Sequence, residues 1–274
     1  MLSLFYKKKK KKMNSYTILK WYQLSNITEI IGEIAIDRFE LLKKQQEERV
    51  STSLLSNEKQ IEPKQTLQEL TSSFVAQAEQ LSNQCQSIAE LKTALNSFDA
   101  ISLKKTALNT FTGVGKETNP LVFCVFDAPK APADKSGNLF DGPNGILMQK
   151  MLAAIQLSCQ NSFIAPFIPW RLPGDRKPTQ TEECVCTPFL KKQIELTNPD
   201  FILAFGSLST RILFGVESIS KARQQKLSYQ LKNKTIPAIV TFGPDLVSVS
   251  QTSRKNAWDD LKKLAQLIQE KISN

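Results

Sequence analysis

The sequence predicts an α/β protein, a three-layer α/β/α sandwich with a four-stranded parallel sheet, preceded by a helical N-terminal extension. Three observations support this prediction. The run LVFCVF, Leu121 to Phe126, is apolar throughout, as in strands that are buried on both faces. From there on, short apolar runs alternate with helical patterns, which favours parallel strands joined by helical crossovers. Before Asn119-Pro120 the pattern is helical and polar.

The elements follow from these patterns in chain order. Strands are predicted at Leu121 to Phe126, Phe163 to Ile168, Asp200 to Phe205 and Ile236 to Phe242. Helices are predicted at Ile146 to Leu157, Thr181 to Leu196, Leu208 to Phe214 and Arg254 to Ile272. A long loop, DAPKAPADKSGNLFDGPNG, joins the first strand to its helix. Ligands of parallel sheets bind beyond the carboxyl ends of strands, so this loop is where we expect the chemistry.

The predicted organisation has three parts: a Lys-rich leader at 1–12, a helical extension at 13–116, and the α/β domain at 117–274. The net charge is +10, of which six charges come from the run Lys7 to Lys12. We expect this leader to be disordered, and a tail that binds nucleic acid or a membrane surface is the alternative. The apolar stripes of the extension predict helices that pack against each other or against the following domain. A protein partner that binds these helices is part of one of the functions weighed below.

No part of the sequence predicts membrane insertion or export. No apolar run reaches the ~18 residues that span a bilayer. The segment Met13 to Leu24 is too short and polar for the apolar core of a secretory signal. We therefore expect a cytoplasmic protein without a membrane partner.

Metal and histidine chemistry are not expected. The chain has five scattered cysteines without a CxxC pair and no histidine, which removes the commonest acid-base group and zinc ligand. Cys184 and Cys186 lie two apart on a predicted helix, so their side chains point in different directions. Small buried hydrophobic residues are the favoured interpretation of all five.

A set of collinear segments resembles the uracil-DNA glycosylase superfamily, in its family-four type. The segments are DAP, SGNLFDGPNGILMQKMLAAI, RLPGDRKPT, CTPFLKKQIEL, AFGSLSTRILFG, SISKAR and TFGPDL. The likeness covers about Leu121 to Leu264. The N-terminal part is similar to the helical extension of a bacterial branch that carries Pro-Trp-Arg, here Pro169-Trp170-Arg171, where the type members have Lys-Cys-Arg.

The resemblance implies a pocket for a nucleotide flipped out of DNA, with stacking and hydrogen bonds to the base. It places Phe140 at the stacking phenylalanine and Asp127 at the carboxylate of the first motif, with Ala128 and Pro129 beside the base. An acid at a strand end is more often a helix cap or turn former, so that interpretation of Asp127 stays open. The positions implied to contact DNA phosphates are Arg171, Arg176, Lys177, Lys221 and Arg223.

Several positions depart from the family's pattern. Gly-Glu-Ala-Pro-Gly becomes Phe126-Asp127-Ala128-Pro129-Lys130, so two glycines are replaced by bulky residues, Phe126 and Lys130. Pro166 stands where an asparagine reads the uracil edge, and proline offers neither a side-chain hydrogen bond nor an N–H. Gly243 stands where a histidine stabilises the departing base. Only Cys186 matches a ligand of the family's iron-sulfur cluster, so we expect no cluster and no cofactor.

Two functions are therefore weighed, with a third of a different kind. The first is a divergent DNA glycosylase of base-excision repair, with impaired or altered activity on uracil or a related base. The second is a catalytically silent module on the same fold that binds single- or double-stranded damaged DNA, or a protein partner. The third is a small-molecule enzyme, because a fold does not determine a function. Salt-dependent DNA binding separates the first two from the third.

Overall fold

A computed structural model describes residues 67–273 of the chain. The chain divides into two units, residues 1–64 and 65–274, and the described residues belong to the second. The predicted leader and the predicted helices before residue 67 lie outside the described residues. The described helices before residue 117 share a hydrophobic core with the sheet, and the boundary between residues 116 and 117 stays a prediction.

Within the described residues the sheet has six strands, where the sequence predicted four. The strands are β1 (Val114–Gly115), β2 (Val122–Phe126), β3 (Ser162–Pro166), β4 (Phe201–Phe205), β5 (Leu227–Gln230) and β6 (Thr235–Thr241). Their spatial order is β1-β3-β2-β4-β6-β5. The four predicted strands are all present and parallel to one another. The two additional strands pair antiparallel at the edges and are too short and polar to show a strand pattern in the sequence.

Helices precede the sheet and connect its strands. They are α1 (Leu67–Gln84), α2 (Ile88–Ser97), α3 (Leu103–Thr106), α4 (Ala131–Ser136), α5 (Pro143–Ala153), α6 (Gln180–Thr197), α7 (Ser207–Phe214), α8 (Ile219–Ala222), α9 (Pro244–Val249) and α10 (Gln251–Ser273). The long loop after β2 contains the short helix α4, which the sequence analysis did not predict. The helix that follows it, α5, begins at Pro143, a residue suited to a first helical turn, rather than at Ile146.

Both faces of the sheet are covered by hydrophobic side chains. On β2, Phe123 and Val125 join one hydrophobic cluster, which includes residues of α2 and α6. Val122 and Cys124 join a second cluster, with residues of α5 and α10. Successive strand residues point to opposite faces, so a strand in this position needs an apolar residue at every place. This requirement explains the unbroken apolar run that predicted the sheet.

The loops that follow the parallel strands meet at one edge of the sheet. The amide of Ile168, after β3, donates a hydrogen bond of 2.9 Å to the carbonyl of Asp127, after β2. The amide of Gly206, after β4, donates one of 2.9 Å to the carbonyl of Thr241, at the end of β6. These backbone bonds hold the loops that carry the predicted site residues next to each other.

Among the residues that the structure describes, no helix is both long enough and apolar enough to cross a membrane.

Candidate active site

Asp127 leaves the carboxyl end of β2 and points at the first turn of α7. Its Oδ1 accepts a hydrogen bond from the Ser209 amide at 3.3 Å and another from the Ser209 hydroxyl at 3.0 Å. The N-cap of α7 is Gly206, which has no side chain to accept bonds from the free amides of that turn. Asp127, which follows β2, therefore caps α7. The helix-cap role that stayed open for this residue is thus present in the structure.

Gly206 makes room for the carboxylate. A Cβ at this position would lie 2.9 Å from both carboxylate oxygens of Asp127, closer than atoms normally approach. The backbone of Gly206 also has a φ of +93°, which side chains with a Cβ rarely adopt. Both facts require glycine where β4 turns into α7.

The surroundings of Asp127 keep its proton affinity high. Removal from water raises the pKa of Asp127 from 3.8 to about 6. The hydrogen bonds from Ser209 and the charge of Lys130 act in the opposite direction, while the charge of Asp245 adds to the increase. A carboxyl group with such a pKa exchanges a proton near neutral pH, as general acids and bases must.

The second carboxylate oxygen of Asp127 is left open. Within the described part of the chain, Oδ2 makes no hydrogen bond, and it is not among the buried polar atoms that lack a partner. Oδ1 is thus held by Ser209, while Oδ2 has no hydrogen-bond partner among the described residues. The carboxylate has one fixed end and one end that can accept a proton from a bound molecule.

Phe140 lies in the loop between α4 and α5, and its side chain is only 8% exposed. It packs in the second hydrophobic cluster, and its amide donates to Oδ1 of Asn138 at 3.1 Å. Gly145 packs directly on its backbone, since a Cβ there would lie 2.3 Å from the Phe140 carbonyl oxygen. The ring is thus held firmly, and its predicted stacking on a base stays a prediction.

The rest of the first motif surrounds Asp127 on its own segment. Phe126 ends β2, Ala128 packs against the first hydrophobic cluster, and Pro129 is buried. Lys130 is the N-cap residue of α4 and is partly buried. Ala128 and Pro129 thus follow Asp127 directly at the carboxyl edge of the sheet, and the place of Phe140 beside them stays a prediction.

Two of the predicted phosphate contacts have acidic partners within the protein. Nε of Arg171 lies 3.3 Å from Oδ1 of Asp175. Arg176 makes two hydrogen bonds to the carboxylate of Glu182, at 2.6 and 2.8 Å, and Glu182 is 6% exposed. Glu182 also completes the capping box that starts α6. Arg176 therefore fixes the loop after β3 to α6.

Arg223 is held still more tightly. Its guanidinium pairs with Asp260 of α10, which is 1% exposed, and lies over the ring of Phe242 at 5.4 Å from its centroid. Lys177 and Lys221, in contrast, are exposed and form no ion pair with any described residue. All five phosphate contacts stay predictions, and these two lysines are the ones without an ion-pair partner among the described residues.

Two departures from the family's pattern are visible in the geometry. Pro166 is buried as the last residue of β3, where it pairs with Phe126 of β2 and offers no polar side chain. Gly243 is the N-cap of α9 with an ordinary φ of −67°. A Cβ on Gly243 would meet Oδ1 of Asp245 at 2.7 Å, a contact that a flexible side chain can relieve.

The cysteines do not fit an iron-sulfur cluster. All five lie in the described part of the chain, where no group of three or more metal-binding side chains is found. Cys186 is buried in the first hydrophobic cluster and Cys124 in the second, on opposite faces of the sheet. Burial raises the pKa of both thiols, which opposes the thiolate that a metal needs. We therefore assign no step of the chemistry at this site to an iron-sulfur cluster.

Ser209 and Arg211 lie close to Asp127 but were not among the predicted site residues. Arg211 donates to Oε1 of Glu183 at 2.7 Å, a bond that raises the pKa of Arg211, and the negative charge of Asp127 contributes to this increase. Both residues lie in the quoted segment AFGSLSTRILFG. A serine three residues after a glycine N-cap was the only available signal, and it is a weak one.

Most of the α/β region matches known proteins. Residues 112–262 match the model of the uracil DNA glycosylase superfamily. A type-4 uracil-DNA glycosylase of Thermotoga maritima is 32% identical over 162 residues, 57% of this chain and 81% of the relative. Another, of Sulfurisphaera tokodaii, is 30% identical over 161 residues, 57% of this chain and 73% of the relative. A third, of Archaeoglobus fulgidus, is 29% identical over 164 residues, 58% of this chain and 82% of the relative. The sheet, the site at its carboxyl edge and these matches together show that the chain belongs to the uracil DNA glycosylase superfamily.

Proposed function

We propose that the protein is a cytoplasmic DNA glycosylase of base-excision repair that hydrolyses the N-glycosidic bond of uracil or a related damaged base. Its fold is then the three-layer sandwich of this class of enzyme. The observation that carries the proposal is the carboxylate of Asp127, fixed at one oxygen by Ser209 and open at the other. The names of the relatives support DNA that contains uracil as the substrate.

The open oxygen of Asp127 would orient the attacking water. Water lying against Oδ2 gives up its proton to the carboxylate as it attacks C1′ of the deoxyribose, while the bond from C1′ to the base breaks and the base leaves with the electron pair. Before that step, the negative carboxylate stabilises positive charge that develops on the sugar. A pKa of about 6 leaves most Asp127 side chains ionised at neutral pH, as both roles require.

The base would lie between the loop of Phe140 and the segment Ala128-Pro129. Flipping a nucleotide out of a duplex requires unstacking, which proteins often assist with an apolar wedge. The short helix α9, next to the site, exposes Leu246 by 45% and Val249 by 81%. We propose Leu246 as the wedge and the free lysines, Lys177 and Lys221, as phosphate contacts.

The deciding experiment is single-turnover base release, with protein in excess over oligonucleotides that carry uracil, hypoxanthine or xanthine. Release that disappears in both Asp127→Ala and Phe140→Ala supports the proposal. Leu246→Ala should slow release from double-stranded more than from single-stranded DNA. Substitution of the exposed Glu117 by Gln is the matched control and should change nothing. Activity that survives Asp127→Ala would refute the assigned mechanism.

A second function, a silent DNA-binding module, is favoured by Pro166 and Gly243. These two positions supply no side-chain hydrogen bond to a base edge or to a departing base. One lost donor of this kind costs about 10² to 10³ in rate. Salt-dependent binding without base release from any of the three substrates would establish this function in place of the first.

A further inference from the structure

Ser209 contacts the carboxylate of Asp127 directly, although it is fully buried. Its hydroxyl donates a hydrogen bond of 3.0 Å to Oδ1, and its amide donates a second bond of 3.3 Å to the same oxygen. Ser209 is 0% exposed, so it cannot touch DNA or a flipped base. Whatever Ser209 contributes to base release must therefore act through Asp127.

The neighbouring hydroxyl in the same helix behaves differently. Thr210 is also 0% exposed, but its hydroxyl donates at 2.7 Å to the carbonyl of Gly206, one turn earlier. Serine and threonine hydroxyls inside helices commonly bond the preceding turn in this way. The hydroxyl of Ser209 instead leaves its own helix and reaches a carboxylate 82 residues earlier in the chain. The bond to Asp127 is thus particular to Ser209 and is not shared by the other buried hydroxyl of this turn.

The bonds from Ser209 affect both the orientation and the ionisation of Asp127. Two donors on one oxygen resist rotation of the carboxylate, so Oδ2 keeps one direction. Burial raises the pKa of Asp127, and the bond from the Ser209 hydroxyl is the largest of the effects that lower it. The sign follows from the donor, because a hydrogen bond to a carboxylate stabilises the ionised form.

Charged side chains on three helices also act on this carboxylate. Asp245 on α9 raises its pKa, and Lys130 at the start of α4 lowers it. Arg211 on α7 interacts with it too, but its guanidinium is bound to Glu183 at 2.7 Å. Among the described residues, the side chain that donates a hydrogen bond to this carboxylate is that of Ser209.

We propose that Ser209 is a positioning residue of the glycosylase, whose hydroxyl holds the carboxylate of Asp127 in the orientation and the ionised state that the reaction requires. The inference rests on the proposed function, because it assigns the attacking water to Asp127. It adds to that function a residue that touches neither the DNA nor the base.

The test compares the two buried hydroxyls of this turn. Single-turnover base release from uracil DNA is measured between about pH 5 and about pH 8.5 for the unaltered protein, Ser209→Ala and Thr210→Val. Loss of a hydrogen bond to a charged group should raise the pKa of Asp127 by about one unit or more. The acidic limb of base release in Ser209→Ala should move to higher pH by the same amount. The rate advantage of the unaltered protein over Ser209→Ala should therefore be about tenfold larger at the lowest pH than at the highest.

Thr210→Val is the matched control, because it removes a buried hydroxyl that bonds the helix backbone and not Asp127. Its acidic limb should coincide with that of the unaltered protein. Both variants should bind uracil DNA as tightly as the unaltered protein, since neither hydroxyl is exposed. Urea unfolding checks that both variants fold.

A measurement without DNA separates this inference from the proposed function. Carbon NMR of protein labelled at its aspartate carboxyl groups follows the titration of Asp127, whose signal is identified by its loss in Asp127→Asn. The midpoint of this titration should lie at higher pH in Ser209→Ala and stay in place in Thr210→Val.

An unshifted titration in Ser209→Ala would overturn the inference, and so would base release whose acidic limb does not move in this variant. Equal shifts in Ser209→Ala and Thr210→Val would also overturn it, because the effect would then come from the packing of α7. A titration that shifts in Ser209→Ala alone, in a protein that releases no base, would support the hold of Ser209 on Asp127 and refute the proposed glycosylase.

Discussion

Replacing Asp127 with Asn should stabilise the fold at high pH. The folded protein binds the proton of Asp127 more tightly than the unfolded chain, since its pKa is about 6 rather than 3.8. Ionisation of Asp127 therefore lowers the free energy of unfolding. The loss grows as the pH rises from the pKa of the unfolded chain to that of the folded protein, and it is complete above the latter. At 1.36 kcal/mol per pKa unit the full cost is about 3 kcal/mol. An amide cannot ionise, but its unpaired N–H costs about 1 kcal/mol, which leaves a net gain of about 2 kcal/mol.

The assay is urea unfolding of Asp127→Asn and the unaltered protein at about pH 4.5 and about pH 8. The stability difference between the two should widen by about 2 kcal/mol toward the higher pH, because only part of the cost is present at the lower one. Glu117→Gln is the control, and as an exposed substitution it should stay within about 0.5 kcal/mol throughout. A difference that does not widen, or a variant that loses stability as the pH rises, would refute the assignment of Asp127 as a carboxylate destabilised by burial.

Three further substitutions test Gly206, Arg223 and Gly243. Gly206→Ala should lower the free energy of unfolding, measured in urea, by at least about 1 kcal/mol more than Gly215→Ala does. Both glycines have a positive φ, but only Gly206 faces the carboxylate of Asp127. Equal losses in the two variants would contradict this close approach. Arg223→Ala should cost about 3 kcal/mol, because it removes the main partner of the buried carboxylate of Asp260 and leaves Lys263, at 4.0 Å, as its one ion-pair partner among the described residues. The exposed Lys221→Ala should cost about 0.5 kcal/mol or less. A loss for Arg223 as small as that for Lys221 would argue against the ion pair. Gly243→His should fold normally and raise single-turnover base release about 10²-fold; a folded variant without gain would contradict the assignment of this position.

The sequence by itself determined the four central strands and most of their helices. Strands covered on both faces need an apolar residue at every position, so they appear in the sequence as unbroken apolar runs. The position of Asp127 followed from the same pattern, because the residue after such a strand lies at the edge where ligands bind. The two edge strands left no such pattern, since β1 has two residues and β5 alternates between partly buried and exposed residues.

Only the tertiary structure decided what the charged side chains do. Arg223 pairs with Asp260, 37 residues away, and Arg176 pairs with buried Glu182, which the sequence did not indicate. Ser209 holds Asp127 from 82 residues away. A buried charge must find a partner because water no longer solvates it. The sequence shows which residues carry charge, but the folded chain selects their partners by distance in space, and so determines which oxygen of Asp127 is held and which stays open.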